Sequence, residues 1–269
     1  MELRLDRGEA LSRAGDTVVS GLFESSAGTS KFPRSLLAED RATAGAASTA
    51  WRSGEIRGKR KELSIFHRAG DPGRVVLVGL GAPSAYSTET VRRASAEATK
   101  ALQGKATRRL AFRAVSFAHS SLSAEAVVRA IVDGSGLGCY EFLRFKTGPS
   151  DGKITEISVA LGGVPATETR QLGASFEEER QIVETVRWTR DIANLPAMAA
   201  SPERLAAHAR DLGREHGLRV TVYDEKGLTR LGCGGLLAVG GGSSRPPRLV
   251  LLEHPGRGRR PPTIAVVGK

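Results

Sequence analysis

Two short apolar runs near the carboxyl end place the strongest constraint on the fold of this chain. Leu249–Leu252 and Ile264–Val267 are continuous in apolar residues and are flanked by proline or glycine. Runs of this length and flanking are typical of strands covered on both faces of a sheet, as in α/β proteins. A sheet with such strands is expected to continue, so we expect an amino-terminal part of a longer chain.

The amino-terminal half alternates strand-like and helix-like segments. The β-rich or alternating segments predict strands at Glu2–Leu5, Thr17–Phe23, Glu62–His67, Arg74–Gly81, Arg109–Ser116 and Thr155–Leu161. Helical spacing predicts a short helix at Ser35–Asp40, a helix from Thr88 to Gly104, and a helix capped by Ser123 that reaches about Phe145, with glycines loosening its middle. This order predicts an α/β fold with a mixed or parallel sheet flanked by helices.

The carboxyl-terminal half begins with the longest helical pattern, Phe176–Ala193. A helix from Ser201-Pro202 to about His216, a strand at Leu218–Tyr223 and a short helix from Asp224 to Leu231 follow. The small, loose segment before this half predicts a linker. The predicted domains are therefore 1–161, a linker at 162–175, and 176–269.

The net positive charge of the chain is compatible with a polyanionic partner such as nucleic acid. Its 40 Lys and Arg outnumber 29 Asp and Glu, which gives a net charge of +11 and a pI near 10.2. The basic clusters Arg57–Lys61 and Arg257–Arg260 are either solvated loops or a nucleic-acid patch. Because aromatic residues for base stacking are few, we favour solvated loops and expect at most weak, sequence-blind nucleic-acid binding.

Cysteine usage and hydropathy predict a cytoplasmic protein. Cys139 and Cys233 are far apart and form no CxxC pair, which is typical of thiols in a reducing compartment. The first 16 residues lack the apolar core of a secretory signal, and no apolar run is long enough to span a bilayer.

No complete active site is evident from residue types and spacing. The five histidines form no HExxH or H-x3–5-H pair, and no nucleophile elbow or Asp-x-Asp pair occurs. Gly79-x-Gly81 follows a strand, but Ser84 stands where a dinucleotide fingerprint requires its third glycine. We therefore interpret these glycines as positions where the chain turns sharply at the end of a strand.

Three spaced blocks resemble the leucine (cytosol) aminopeptidase family. They are Asn194-Leu195-Pro196 within TRDIANLP, Ser201-Pro202-Glu203-Arg204-Leu205, and the stretch from GGLLAVGGGSSRPPRLVLLEH to AVVGK at 234–269. A weaker likeness extends through the amino-terminal half and includes Gly138-Cys139-Tyr140-Glu141-Phe142. The resemblance implies an amino-terminal macro-like α/β domain followed by the start of a metallopeptidase catalytic domain.

The resemblance also implies a chemistry. Members of this family release amino-terminal residues from peptides with two divalent metal ions, manganese or zinc, and assemble as hexamers. Val267-Gly268-Lys269 matches the segment that supplies a lysine ligand, so Lys269 is the one implied metal-site residue. The carboxylate ligands and the catalytic lysine have no counterpart in this sequence, so we expect no stable metal pair on this chain and no activity from it alone.

A second function class stays open at this stage. The net charge, Arg57–Lys61, Arg257–Arg260 and the Gly79–Gly81 segment would also suit a basic macro-like module that binds nucleic acid or a nucleotide without catalysis. Such a module has no need of the peptidase-like blocks at 189–205 and 232–269.

Overall fold

The structure, a computed structural model, describes residues 1–12, 16–25, 31–70, 73–147, 153–256 and 263–268. The chain forms two compact units, Met1–Thr189 (unit 1) and Arg190–Lys269 (unit 2). Both units combine helices with strands, which confirms the predicted α/β class. The domain boundaries predicted from the sequence, 1–161 and 176–269, stay a prediction.

The described residues form eight strands and eight α-helices. The strands are β1 (Glu2–Asp6), β2 (Thr17–Phe23), β3 (Leu63–His67), β4 (Arg74–Gly81), β5 (Arg109–Arg113), β6 (Glu156–Ala160), β7 (Arg219–Tyr223) and β8 (Leu249–Glu253). The helices are α1 (Leu37–Ala42), α2 (Ala46–Ser53), α3 (Thr88–Leu102), α4 (Ala124–Gly138), α5 (Ala166–Ala193), α6 (Pro202–His216), α7 (Glu225–Arg230) and α8 (Gly234–Gly240).

Unit 1 is organised around a six-stranded sheet with the order β1-β6-β5-β2-β4-β3. Neighbouring strands are parallel except β3, which pairs antiparallel with β4 through Ile65 opposite Val76. The sheet is therefore mixed, with β1 and β3 as its edges. The predicted strand positions in this unit are confirmed to within a few residues.

Side chains on both faces of this sheet are buried. On β4, Val76, Val78 and Leu80 lie in the larger core, together with side chains of α3, α4 and α5. The alternate residues Val75 and Leu77 lie in a second core with Leu36 and Trp51, the latter on α2. Burial on both faces explains why this strand is continuously apolar rather than alternating with polar residues.

Helices α3 and α4 pack against each other through glycines on α4. A Cβ atom built on Gly134 would lie 2.1 Å from the Arg92 carbonyl oxygen, and one on Gly138 would lie 2.7 Å from that of Ala96. The expectation that glycines loosen this helix is wrong, because they permit close backbone contact between two helices. The helix also ends at Gly138, earlier than the predicted end near Phe145.

Two further local predictions for unit 1 need correction. The strand predicted at Arg109–Ser116 ends at Arg113, because residues 114–117 form a 3₁₀ turn in which the Ser116 hydroxyl accepts a hydrogen bond from the Gly21 amide at 2.9 Å. Helix α2 was not predicted, since its alanine- and serine-rich sequence carries little apolar periodicity. Gly45, with a φ of 83°, precedes it in the left-handed conformation.

Helix α5 begins at Ala166, ten residues before its predicted start at Phe176. It thus occupies most of the segment 162–175 that was predicted to be a linker. Leu172 and Phe176 are buried in the larger core, and the Ser175 hydroxyl donates to Glu125 Oε1 at 2.8 Å. These contacts hold the first turns of the helix against α4, although their small and charged residues suggest a loop.

In unit 2, β7 and β8 form an antiparallel pair in which Val220 lies opposite Leu252. The strand predicted at Ile264–Val267 is not formed: this segment has no regular structure, and Val266 is 94% exposed. A strand requires a hydrogen-bonded neighbour, and β8 pairs only with β7 among the described residues. Within that part of the chain, no helix is long and apolar enough to cross a membrane.

Candidate functional site

Two of the three motif blocks identified in the sequence lie in unit 2 at defined places in the fold. Asn194-Leu195-Pro196 directly follows the last residue of α5, Ala193. Ser201 caps α6 by accepting a hydrogen bond from the Arg204 amide at 3.3 Å, and Pro202 occupies the first helical position. Both features follow from the sequence, since proline ends one helix and is favoured at the start of the next.

An arginine of the third block contacts the segment that lies between the first two blocks. Arg245, in the loop between α8 and β8, donates from Nη1 to the Met198 carbonyl oxygen at 3.0 Å. In the same loop Pro247 packs so closely on Gly240 that an added Cβ atom would lie 2.6 Å from Pro247 Cγ. The segment between the NLP and SPERL blocks is therefore connected to the Gly/Ser/Pro loop.

Helix α7 connects this loop region to the strand pair. Asp224 follows β7 directly and caps α7 by accepting a hydrogen bond from the Gly227 amide at 2.9 Å. That backbone hydrogen bond stabilises the carboxylate, so the pKa of Asp224 is lowered from its ordinary value. Its Oδ1 atom is thus committed to the helix cap.

Lys269, the one residue assigned a metal-site role from the sequence, lies outside the described residues. The residues before it, Ile264 to Gly268, are exposed. Across the described residues, no three or more His, Cys, Asp or Glu side chains stand together where they could hold a metal ion. A metal pair needs several fixed carboxylate or imidazole ligands, so the described residues do not fit such a centre.

Within the described ranges, none of the histidines belongs to a group of three or more side chains that could hold a metal ion. His119 lies beside the rings of Phe23 and Tyr86, and its Nδ1 is 2.9 Å from the Ser121 hydroxyl. The Tyr86 hydroxyl donates to the Phe117 carbonyl oxygen, and burial raises the pKa of Tyr86 above its ordinary value. These groups make a packed aromatic cluster inside unit 1.

Gly79 lies inside β4 and serves close packing, whereas Gly81, the last residue of β4, has a φ of 74°, which agrees with the sharp turn at the end of a strand that we inferred from the sequence. A Cβ atom on Gly79 would lie 1.8 Å from the Lys59 carbonyl oxygen. The Gly79 amide donates to the Glu62 carbonyl oxygen, and the Gly81 amide to that of Gly58, both at 2.8 Å. The basic segment before β3 is thus laid across the carboxyl end of β4.

A buried ion pair in unit 1 was not predicted from the sequence. Glu39 on α1 is fully buried and accepts hydrogen bonds from the Ser20 hydroxyl at 2.6 Å and from Arg113 Nη1 at 3.0 Å. The available signal was Ser20, a polar residue in the otherwise apolar strand TVVSGLF. A hydroxyl at such a position requires a buried partner, but the sequence does not say which.

An open hollow of about 550 Å³ lies beside the first residues of the chain. Glu177, Arg180 and Glu184 of α5 line it together with Glu2. Arg180 lies between the two α5 carboxylates and donates to both, and it lowers the pKa of Glu177 to about 2. These three α5 side chains form ion pairs with one another along one face of the helix. The charged lining of the hollow is therefore explained by these ion pairs.

Comparison with protein families gives two matches in chain order. The model for the cytosol aminopeptidase family, N-terminal domain, matches residues 21–149. The model for the cytosol aminopeptidase family, catalytic domain, matches residues 187–269. The second match contains all three motif blocks, and the two together cover most of the chain.

Curated relatives and solved structures agree with the family models. A probable cytosol aminopeptidase of Syntrophotalea carbinolica is 35% identical over 97% of this chain and 52% of that protein. One of Geobacter sp. (strain M21) is 31% identical over 100% of this chain and 53% of that protein. Bottromycin maturation enzyme BotP is 27% identical, with a TM-score of 0.69 over 89% of this chain and 46% of that one.

A tomato leucine aminopeptidase mutant supports the fold, with a TM-score of 0.80 and 23% identity over 97% of this chain and 52% of its own. The chain thus spans about half the length of the curated relatives that it matches. With both family domains matched in order and the fold shared, this chain is a member of the cytosol aminopeptidase family.

Proposed function

We propose that this chain supplies the amino-terminal domain and the first part of the catalytic domain of an aminopeptidase that releases amino-terminal residues from peptides. The observation that carries the proposal is the ordered match to both domains of one family, at 21–149 and 187–269. The contact between Arg245 and the Met198 carbonyl oxygen supports it, because it joins the third matched block to the segment between the first two within unit 2.

The proposed reaction is hydrolysis assisted by two divalent metal ions, which polarise the peptide carbonyl and lower the pKa of the attacking water. A solved structure of BotP in complex with Mn supports a divalent metal in relatives of this chain. Lys269 is the residue of this chain that we assign to the metal site. Because no group of three or more His, Cys, Asp or Glu side chains among the described residues could hold a metal ion, the chain is proposed to bind no metal pair and to have no activity alone.

The substrates, the assembly and the compartment that we propose are also those of the cytosol aminopeptidase family. Peptides are the proposed substrates, a homo-oligomer is the proposed assembly, and the cytoplasm is the proposed compartment. The names of the relatives and the free thiols of Cys139 and Cys233 support that compartment.

A chimera tests the proposed activity. Residues 1–269 would replace the matching half of the Syntrophotalea carbinolica relative, and hydrolysis of a leucine chromogenic amide would be measured with Mn²⁺. We expect activity from the chimera and its loss in the chimera carrying Lys269→Ala, with Lys226→Ala as the matched control. A folded chimera without activity would contradict the proposed function, and an active Lys269→Ala chimera would contradict the metal role.

The 269-residue chain alone tests the second part of the proposal. Calorimetric titration with Mn²⁺ and Zn²⁺ should give no two-site isotherm, and the amide should not be hydrolysed above background. Micromolar two-site binding would show that this chain holds a metal pair by itself.

A further inference from the structure

The two edge strands of the unit 1 sheet differ in the side chains that they carry. β1 has the sequence ELRLD, in which charged residues alternate with leucines, and Arg4 pairs with Glu2 and Glu156. β3 has the sequence LSIFH, with no carboxylate, lysine, arginine or proline. Charged residues and prolines are common means by which edge strands avoid pairing with another chain. β3 therefore lacks a protection that β1 has.

The outward backbone groups of β3 are open to a partner strand. The Gly79 amide donates to the Glu62 carbonyl oxygen at 2.8 Å, so the even-numbered residues of this segment bond to β4. The N–H and C=O groups that point away from β4 are those of the alternate residues, Leu63, Ile65 and His67. Within the described ranges, no hydrogen bond reaches these outward groups.

The side chains of β3 also leave apolar surface for a partner to cover. Leu63 and Ile65 pack against the larger core of unit 1, and Phe66 packs against the second core on the opposite face. All three side chains are only partly buried. A strand added beside β3 would remove more of their surface from water. Backbone and side chains therefore both favour an apolar strand as the partner.

The sequence of β3 is complementary to itself. In an antiparallel pair centred on Ile65, the outward groups of Leu63 meet those of His67 in the second copy, and Ile65 meets its own counterpart. The same register places Glu62 opposite Arg68 of the second copy, where opposite charges stabilise a strand pair. Registers shifted by two residues lose this pairing of opposite charges. A second copy of the chain thus fits this edge in one register.

We propose that β3 is the surface through which two copies of this chain associate, by antiparallel pairing of their β3 strands about a twofold axis at Ile65. The two six-stranded sheets then continue into each other. Because the same surface serves both copies, the contact closes as a dimer and does not propagate. The proposal names a surface for the homo-oligomer proposed above, but it is argued from β3 and does not depend on peptidase activity.

Cysteine cross-linking tests the register. Ile65→Cys and Leu63→Cys are introduced separately into the 269-residue chain that carries Cys139→Ala and Cys233→Ala, and diamide oxidises the thiols. Residues directly opposite in such a pair have Cα atoms about 5.5 Å apart, within reach of a disulfide. The two copies of residue 63 would instead lie about 14 Å apart along the strands.

We expect a disulfide-linked dimer from Ile65→Cys and only a background amount from Leu63→Cys. Leu63→Cys is a matched control, because both positions are apolar, partly buried and on the same face of β3. Equal cross-linking of the two variants, or none from either, would overturn the proposal.

Sedimentation equilibrium of the whole chain tests the association itself. His67→Pro removes an outward N–H that β4 does not use, whereas His67→Thr keeps that N–H and suits a strand. Two symmetric hydrogen bonds are lost from the dimer of the proline variant, so its dissociation constant should be about tenfold higher than that of the parent. His67→Thr should match the parent, and thermal unfolding checks that both variants are folded.

A monomeric parent at micromolar concentrations, or a parent dimer that His67→Pro does not weaken, would overturn the proposal. The measurement uses neither metal nor peptide. A failure here is therefore distinct from a failure of the proposed aminopeptidase activity, which the chimera tests.

Discussion

The two units of this chain share an alternation of helix and strand but differ in how completely they bury apolar side chains. Unit 1 encloses Phe112 and Phe117 without exposed surface, whereas the buried apolar side chains among the described residues of unit 2 are Ala206, Ala209 and Leu228. Several large apolar side chains of unit 2 are instead exposed: Met198, Leu205, Leu231, Leu236, Val239, Leu251, Leu252, Ile264, Val266 and Val267.

This contrast shows what a sheet covered on both faces contributes. In unit 1, six paired strands have helices on both faces, so each apolar run is covered twice. In unit 2, the described residues give only a two-stranded sheet, and an isolated strand pair of this kind is marginally stable. Local sequence preference is similar in both units, but the stability obtained from it depends on the area that packing removes from water.

The largest expected difference between the units is in protease resistance. Thermolysin, which cleaves beside apolar residues, should cut first between about residues 195 and 268 and leave a resistant fragment that contains unit 1. Leu172, Phe176 and Val183 anchor α5 to the core of unit 1, so cleavage at 162–175 should be late. Every 1.4 kcal/mol of difference in opening free energy gives roughly tenfold in cleavage rate. Mass spectrometry of a time course measures this.

The order of cleavage shows which unit opens more easily. First cleavage inside 1–160, or uniform resistance of the whole chain, would contradict the difference in stability between the units.

The second largest expected difference between the units is in the stability lost when a large side chain is replaced by alanine. Phe112→Ala should lower the free energy of unfolding of unit 1 by about 3–5 kcal/mol, because it empties a fully buried site. Leu252→Ala, at a side chain that is 46% exposed, should cost less than about 1 kcal/mol. Urea unfolding followed by fluorescence of the buried Trp51 reports on unit 1, and hydrogen exchange of the β7 amides reports on unit 2. Similar losses at both positions would show that unit 2 is as closely packed as unit 1.

Much of this fold follows from local sequence signals. The β-rich run Thr17–Phe23, the helix that begins at Thr88 and the start of the helix capped by Ser123 are found where their sequences predict them. These signals are local because a cap or an apolar run is complete within a few residues. The strand at Ile264–Val267 was predicted in error, since strand formation depends on a neighbouring strand that the run itself does not specify.

The candidate sites were also predictable only where the signal is local in the sequence. The motif blocks were recognisable because they are contiguous in sequence, and the family models confirm them. The arginine partner of Glu39 and the packing role of Gly79 could not be recognised from the sequence. Arg113 and Lys59, which contact these two residues, come from distant parts of the chain. Long-range approaches of this kind depend on the packed sheet, so residue spacing alone does not reveal them.

Glycine substitutions should have opposite effects in the two units. Gly79→Ala places a Cβ atom 1.8 Å from the Lys59 carbonyl oxygen, so it should destabilise unit 1 by about 1–3 kcal/mol. Gly235→Ala, inside α8 with nothing within 4 Å of the new atom, should stabilise that helix by about 0.5–1 kcal/mol. Thermal unfolding and hydrogen exchange of each unit measure the two effects. Destabilisation by Gly235→Ala would indicate that α8 is more closely packed than the contrast implies.

The smallest expected effect is an acid sensitivity with a different origin in each unit. Arg180 lowers the pKa of Glu177 from 4.5 to about 2, and the Gly227 amide lowers the pKa of Asp224 from 3.8. A carboxylate with a lowered pKa in the folded state stabilises that state above its unfolded pKa and loses this contribution as pH falls through the folded value. Unit 1 should therefore weaken between about pH 4.5 and 2.

Substitutions that preserve shape isolate these contributions. Glu177→Gln should flatten the acid dependence of unit 1 in that window, and Asp224→Asn should flatten that of unit 2 while it keeps a side chain able to cap α7. The change should be small in unit 1, because the Glu177 side chain is 48% exposed and water screens its pairing with Arg180. Hydrogen exchange measured from pH 5 to 2 on each unit provides the comparison. If Glu177→Gln left the acid dependence of unit 1 unchanged while Asp224→Asn altered it, the assignment of the two carboxylates to separate units would be wrong.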